Sequence, residues 1–92
     1  MRRPRVDWMT RADDSILEFL LNEPGNPIRA NPGTVEANLD YQISHVRARM
    51  SELRKAGLLE YYDEDRAIYQ ITDRGRAYLA GELNAEDLER IK

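Results

Sequence analysis

The sequence predicts a mainly α domain with a small β-hairpin, an α+β arrangement, on three observations. Apolar residues recur at helical spacing in separate stretches, of which Ile43, Val46, Met50 and Leu53 form the clearest. Two β-prone runs, Leu58–Tyr62 and Ala67–Ile71, flank the polar turn Asp63-Glu64-Asp65-Arg66. Caps and breakers bracket every stretch. A chain of 92 residues has room for one modest core and no second domain.

In chain order, residues 1–9 form an arm, with Trp8 and Met9 to dock it. Thr10 with Asp13 has the form of a capping box, and Ile16, Leu17, Phe19, Leu20 and Leu21 give the helix that follows a broad apolar face, ending near Asn22. Glu23-Pro-Gly-Asn-Pro27 is a break, and Ile28-Arg29 has room for a very short strand. Asn31-Pro32 is an N-cap followed by proline at the first helical position, and Val35 and Leu39 face inward from a short second helix. Asp40-Tyr41-Gln42 is a tight connection to a third helix over 43–56, stopped by Gly57. After the hairpin, Thr72 caps a helix carrying Tyr78, Leu79 and Leu83. The folded domain is therefore expected over 10–83. Residues 84–92 are expected to form a short helix, capped by Asn84 with Asp87 and holding Leu88 and Ile91.

Composition removes several function classes. Without cysteine there is neither a disulfide framework nor a thiolate metal site. His45 is the only histidine, and no acid stands at ligand spacing beside it. No Gly-rich phosphate loop, nucleophile elbow or Ser/His/Asp set is present, so neither an enzyme nor a cofactor or small-molecule substrate is expected. No apolar run reaches the ~20 residues of a membrane span. The basic start, Arg2, Arg3 and Arg5, lacks the apolar core of a signal peptide, so a cytoplasmic, intact protein is expected.

Net charge is −3, against the basic balance expected of a DNA-binding domain. The charges are segregated, however. Residues 42–57 hold Arg47, Arg49, Arg54 and Lys55 against Glu52 alone, while acids gather in Asp63-Glu64-Asp65 and in Glu82, Glu86, Asp87 and Glu89. Two helices joined by a short turn and followed by a hairpin form a winged helix-turn-helix, whose second helix enters the major groove. With Val46, Met50 and Leu53 inward, a turn of ~100° per residue directs Ser44, Ala48, Ser51 and Lys55 outward, with His45 and Arg47 on the shoulders and Arg49 further round. Small residues let the backbone approach base edges, and the longer donors reach guanine acceptors or phosphates. Glu52, one turn deeper, confines groove entry to Gln42–Arg49. The candidate DNA-binding residues are Gln42, Ser44, His45, Arg47, Ala48, Arg49 and Arg66, the last as a phosphate contact or an ordinary loop arginine. Tyr61, Tyr62 and Tyr69 are assigned to packing or an interface rather than to stacking on single strands.

Val35-Glu-Ala-Asn-Leu39, Tyr41–Val46, Leu53-Arg-Lys-Ala-Gly57-Leu58-Leu59 and Tyr69-Gln-Ile-Thr72-Asp-Arg-Gly75-Arg-Ala-Tyr78-Leu79 together resemble the MarR/ArsR-type winged-helix regulators. Over about residues 10–83 the chain is similar to the small haloarchaeal phage phi-H repressor-like family. The resemblance implies a sequence-specific regulator of transcription, a repressor, acting on double-stranded DNA. A haloarchaeal origin would also account for the acidic balance as a salt adaptation. Gln42 departs from the family's usual serine cap, and the acidic wing tip departs from a basic one, which leaves helix 43–56 as the main reader. Palindromic sites imply a homodimer, expected through the chain termini with Leu83, Leu88 and Ile91, the alternative for this stretch being to fold back on its own domain against Trp8 and helix 10–22. The alternative is a winged-helix module for protein–protein contact in a larger assembly, favoured by the acidic total and wing.

Overall fold

The computed structural model describes residues 9–83. The first helix, α1, starts where two side chains exchange hydrogen bonds with the backbone. The Thr10 hydroxyl accepts from the Asp13 N–H and the Asp13 carboxylate accepts from the Thr10 N–H at 2.8 Å, satisfying two donors that a helix start leaves open. Helix α1 spans Arg11–Leu21 and ends at Asn22 in the left-handed conformation, φ 56°. The Asn31 carboxamide accepts from the Thr34 N–H at the start of α2, Pro32–Asn38, with Pro32 in its first turn. Helix α3 covers Ile43–Lys55.

Gly57 then takes φ +81°, a region that glycine enters without steric cost. The Leu58 N–H reaches back to the Leu53 carbonyl and the chain turns into β1. Strands β1, Leu59–Asp63, and β2, Ile68–Ile71, form a two-stranded antiparallel ribbon in which Leu59 faces Ile71 and Tyr61 faces Tyr69. Each strand starts one residue later than the sequence suggests, and β1 also ends one later. Leu58 serves the helix stop, Ala67 adopts φ 54° in the turn, and the register slips between Tyr61 and Asp63. The short strand expected at Ile28-Arg29 is instead a single bridge at the next residue, where Ala30 exchanges backbone hydrogen bonds of 3.0 and 2.9 Å with Tyr69. Thr72 caps α4, Asp73–Leu79, by accepting from the Gly75 N–H at 3.0 Å. Leu83 lies beyond this helix, partly buried against the core. The expected arm over 1–8 and short helix over 84–92 lie outside the described residues.

The core joins Ile16, Leu17 and Leu20 of α1, Val35 of α2, and Val46, Met50 and Leu53 of α3 to Leu58, Leu59, Tyr69, Ile71 and Tyr78. The first seven, with Leu58, are fully buried. Each such aliphatic side chain contributes about 1.5–3 kcal/mol through apolar area removed from water.

Helix α4 seats against the ribbon at Gly75, which is buried. A methyl group there would press on the Leu58 carbonyl oxygen and lie 2.6 Å from Ile71 Cγ1. Gly75→Ala is therefore expected to destabilise the domain by about 1–3 kcal/mol through overpacking, although alanine favours a helix over glycine. Urea unfolding measures it, and an unchanged midpoint would contradict the contact.

Candidate nucleic-acid interface

The α2–α3 pair is placed by burial. Val46, Met50 and Leu53 are all fully buried, so the rotation of α3 about its axis is set and the opposite side must face solvent. Gln42, Ser44, His45, Arg47, Ala48 and Lys55 are exposed on it, while Ser51 and Glu52 are half-buried. Gln42 makes no side-chain capping bond. His45 lies 6.0 Å, centroid to centroid, from the ring of Tyr41 in a tilted arrangement. Glu52 meets Lys55 at 3.5 Å, which offsets part of its negative charge on the outward side.

Arg49 does not join this face. Its guanidinium turns back to α1 and grips Asp13 with both arms, Nε to Oδ1 and Nη2 to Oδ2, each at 2.8 Å. The Arg49 side chain is 17% exposed and that of Asp13 not at all. The hydrogen bond to Asp13 raises the arginine's pKa, burial opposes it, and the charges of Asp13 and Glu52 add to the rise. Arg49, expected as a donor to DNA, is thus a structural counter-ion. The sequence held a clue, because Asp13, Ile16, Leu17 and Leu20 share one stripe of α1. A carboxylate in an apolar stripe requires a buried partner.

On the other shoulder, α3 meets the hairpin. Arg47 and Arg66 line one groove of about 480 Å³, together with Asn31, Pro32, Gly33, Ala67 and Tyr69. Arg66 is 69% exposed and paired through Nε with Asp63 at 2.7 Å. Arg54, not singled out from the sequence, packs its guanidinium 5.0 Å from the centre of the Tyr61 ring. Its Nε is buried without a hydrogen-bond partner among the described residues. The rings of Tyr61 and Tyr69 pack in a tilted arrangement, 4.8 Å between centroids, with their hydroxyls 3.4 Å apart, and burial, then that hydrogen bond, push the Tyr69 phenol up to about 12. These two tyrosines pack as expected, whereas Tyr62 is 51% exposed beneath the Arg29 guanidinium. No group of three His, Cys, Asp or Glu among the described residues is placed to hold a metal ion.

Residues 1–91 match the family described as winged helix-turn-helix phage repressor. The chain belongs to this phage repressor family. It is 37% identical over 87 residues to the repressor protein of Halobacterium phage phiH, covering 94% of this chain and 96% of that protein. The crystal structure of the PhiH1 repressor-like protein from Haloarcula marismortui is similar across 99% of both chains, with a TM-score of 0.79 at 31% identity. The phage repressor family consists of regulators rather than enzymes. Its winged helix is the arrangement described above, among the described residues four helices with a two-stranded hairpin after α3.

Within this phage repressor fold the Arg49–Asp13 pair holds α3 against α1. Arg49→Met strands a buried carboxylate and is expected to cost about 3–5 kcal/mol. The double variant Asp13→Asn/Arg49→Met should recover part of that loss, because no charge is then left buried. Urea titrations of both proteins and the parent decide it, and a double variant less stable than Arg49→Met would contradict the account.

Proposed function

We propose that the protein is a transcriptional repressor that binds double-stranded DNA sequence-specifically, reading the major groove with the N-terminal half of α3. The observation that carries this reading is the outward face of α3. Ser44 and Ala48, one turn apart, form an exposed row of small residues flanked by the exposed Gln42, His45 and Arg47. Small side chains permit close approach to base edges, and Arg47 has the reach for a bidentate contact to guanine. Membership of a repressor family and the similarity to the phage phiH repressor protein support it. No helix among the described residues is long and apolar enough to cross a membrane, in keeping with action in the cytoplasm.

A second reading, a winged helix used for protein–protein contact in a larger assembly, draws on the exposed Tyr62 and the acidic wing tip. Fluorescence anisotropy of the protein titrated onto a duplex from its own upstream region, with a scrambled duplex as control and at stated salt, separates the two. Preference for the upstream duplex supports the repressor. Absence of binding to either supports the assembly module.

One α3 reads one half-site, so the active form is proposed to be a homodimer. The apolar Leu88 and Ile91, outside the described residues, follow Leu83 and are the candidates for the contact.

Arg47→Ala is expected to leave the fold intact and weaken specific binding by about 1–3 kcal/mol, roughly 5- to 150-fold. Anisotropy measures the loss and circular dichroism the fold; undiminished affinity would remove α3 as the reader. In sedimentation equilibrium the full chain should have twice its monomer mass, and a chain ending at Glu82 should be monomeric. A monomeric full chain, or a truncated chain that still dimerises, would refute the terminal contact.

A further inference from the structure

The hairpin tip combines two features that point in opposite directions. It is acidic, with Asp63, Glu64 and Asp65 in succession, yet Arg66 lines the same groove as Arg47 of α3. Two arginines on one groove next to the exposed face of α3 are suited to an anion, and a phosphodiester of DNA passing that face is the one that geometry would deliver. Asp63 already engages one of the two arginines. Its Oδ2 accepts from Arg66 Nε at 2.7 Å and its Oδ1 from the Arg66 N–H at 3.3 Å.

The turn presets this contact. The Ala67 N–H closes back on the Glu64 carbonyl at 3.1 Å, Ala67 takes φ 54°, and the register slips between Tyr61 and Asp63. Arg66 therefore lies inside a hydrogen-bonded turn, three residues after Asp63, which itself pairs across the ribbon with Ile68, and both its N–H and its side chain are directed to the Asp63 carboxylate. The Arg66 side chain and its backbone N–H hold the Asp63 carboxyl below the usual carboxylate range, so it stays charged at neutral pH. The pair is nevertheless solvated, with side chains 69% and 29% exposed. Exposed ion pairs are weak, so a phosphate arriving at the groove can displace the carboxylate.

We infer that Asp63 is an electrostatic latch on the DNA interface: it occupies Arg66 in the free protein and competes with a backbone phosphodiester for it in the groove shared with Arg47. The inference rests on the reading of α3 as the DNA-facing element. It assigns the wing a phosphate contact, and it makes the wing's acidity a brake on non-specific affinity instead of a sign that the wing faces elsewhere. The carboxylate competes at every sequence alike, because phosphates carry no base information.

The test is anisotropy on the upstream and scrambled duplexes over a salt series. It compares the parent with Asp63→Asn, Glu64→Gln, Arg66→Ala and Asp63→Asn/Arg66→Ala. Glu64→Gln removes the same charge from the neighbouring residue without touching the pair. Asp63→Asn is expected to tighten binding to both duplexes and to steepen the slope of log K against log salt by up to about 0.9, the value of one full phosphate contact, which the competing carboxylate lets the parent make only in part. Glu64→Gln should leave the slope unchanged, and the double variant should match Arg66→Ala alone. Equal slopes for Asp63→Asn and Glu64→Gln, or a gain from Asp63→Asn that persists without Arg66, would overturn the latch while leaving the α3 reading intact. A parent and variants that bind neither duplex would overturn both.

Discussion

The buried pair between Asp13 and Arg49 is the interaction on which the arrangement of this domain depends. Asp13 has no exposed side-chain surface, and it serves two elements at once. One of its oxygens accepts from the Thr10 N–H to start α1, and both accept from the Arg49 guanidinium on α3. A charge at that depth requires full pairing, so the position of α3 is tied to the first turn of α1. The next residue extends the joint, because Asp14 Oδ1 accepts from the Tyr78 hydroxyl of α4 at 2.6 Å. Two successive carboxylates thus reach two different helices from one helical turn, an assignment of polar groups that apolar packing alone does not specify.

The same pair explains why α3 divides into unlike flanks. Toward α1 the helix spends its arginine on structure. Toward the hairpin it places Arg47 and Arg54, one lining the groove and the other lying over the Tyr61 ring. Between the flanks remains the exposed row of small and polar residues. The cationic character suggested by residues 42–57 as a linear segment is therefore smaller at the surface, since Arg49 is neutralised internally and Arg54 is partly covered. The domain's electrostatics are decided by which cations the fold consumes, more than by the net charge of −3.

What the sequence revealed was mostly what is local. The caps at Thr10, Asn31 and Thr72 act within three residues of themselves, and the Val46, Met50, Leu53 stripe shows its period directly. These were enough for the helices, their order and the outward face of α3. The partner of Arg49 was hidden because it lies 36 positions away and because a long side chain one shoulder from the core can turn inward or outward. Arg54 was hidden for the same reason, its place depending on where the Tyr61 ring falls. Strand ends shifted by one residue because Leu58 was claimed by the helix stop and Ala67, a poor strand former, by the turn, although each adjoins a β-prone run.

The Ala30–Tyr69 bridge has a mechanical meaning for the hairpin. A two-stranded ribbon is marginal without support from a third strand or a packed helix, and here the third strand is reduced to one residue. Two backbone hydrogen bonds meeting at a single point resist sliding of the ribbon along that strand, and the burial of Leu59, Tyr69 and Ile71 against the helices opposes its rotation. The bridge stands directly before the Asn31 cap of α2, so the pivot sits at the root of the helix pair. The hairpin is held the way a lever is held at its fulcrum, its base located to within a hydrogen bond of α2.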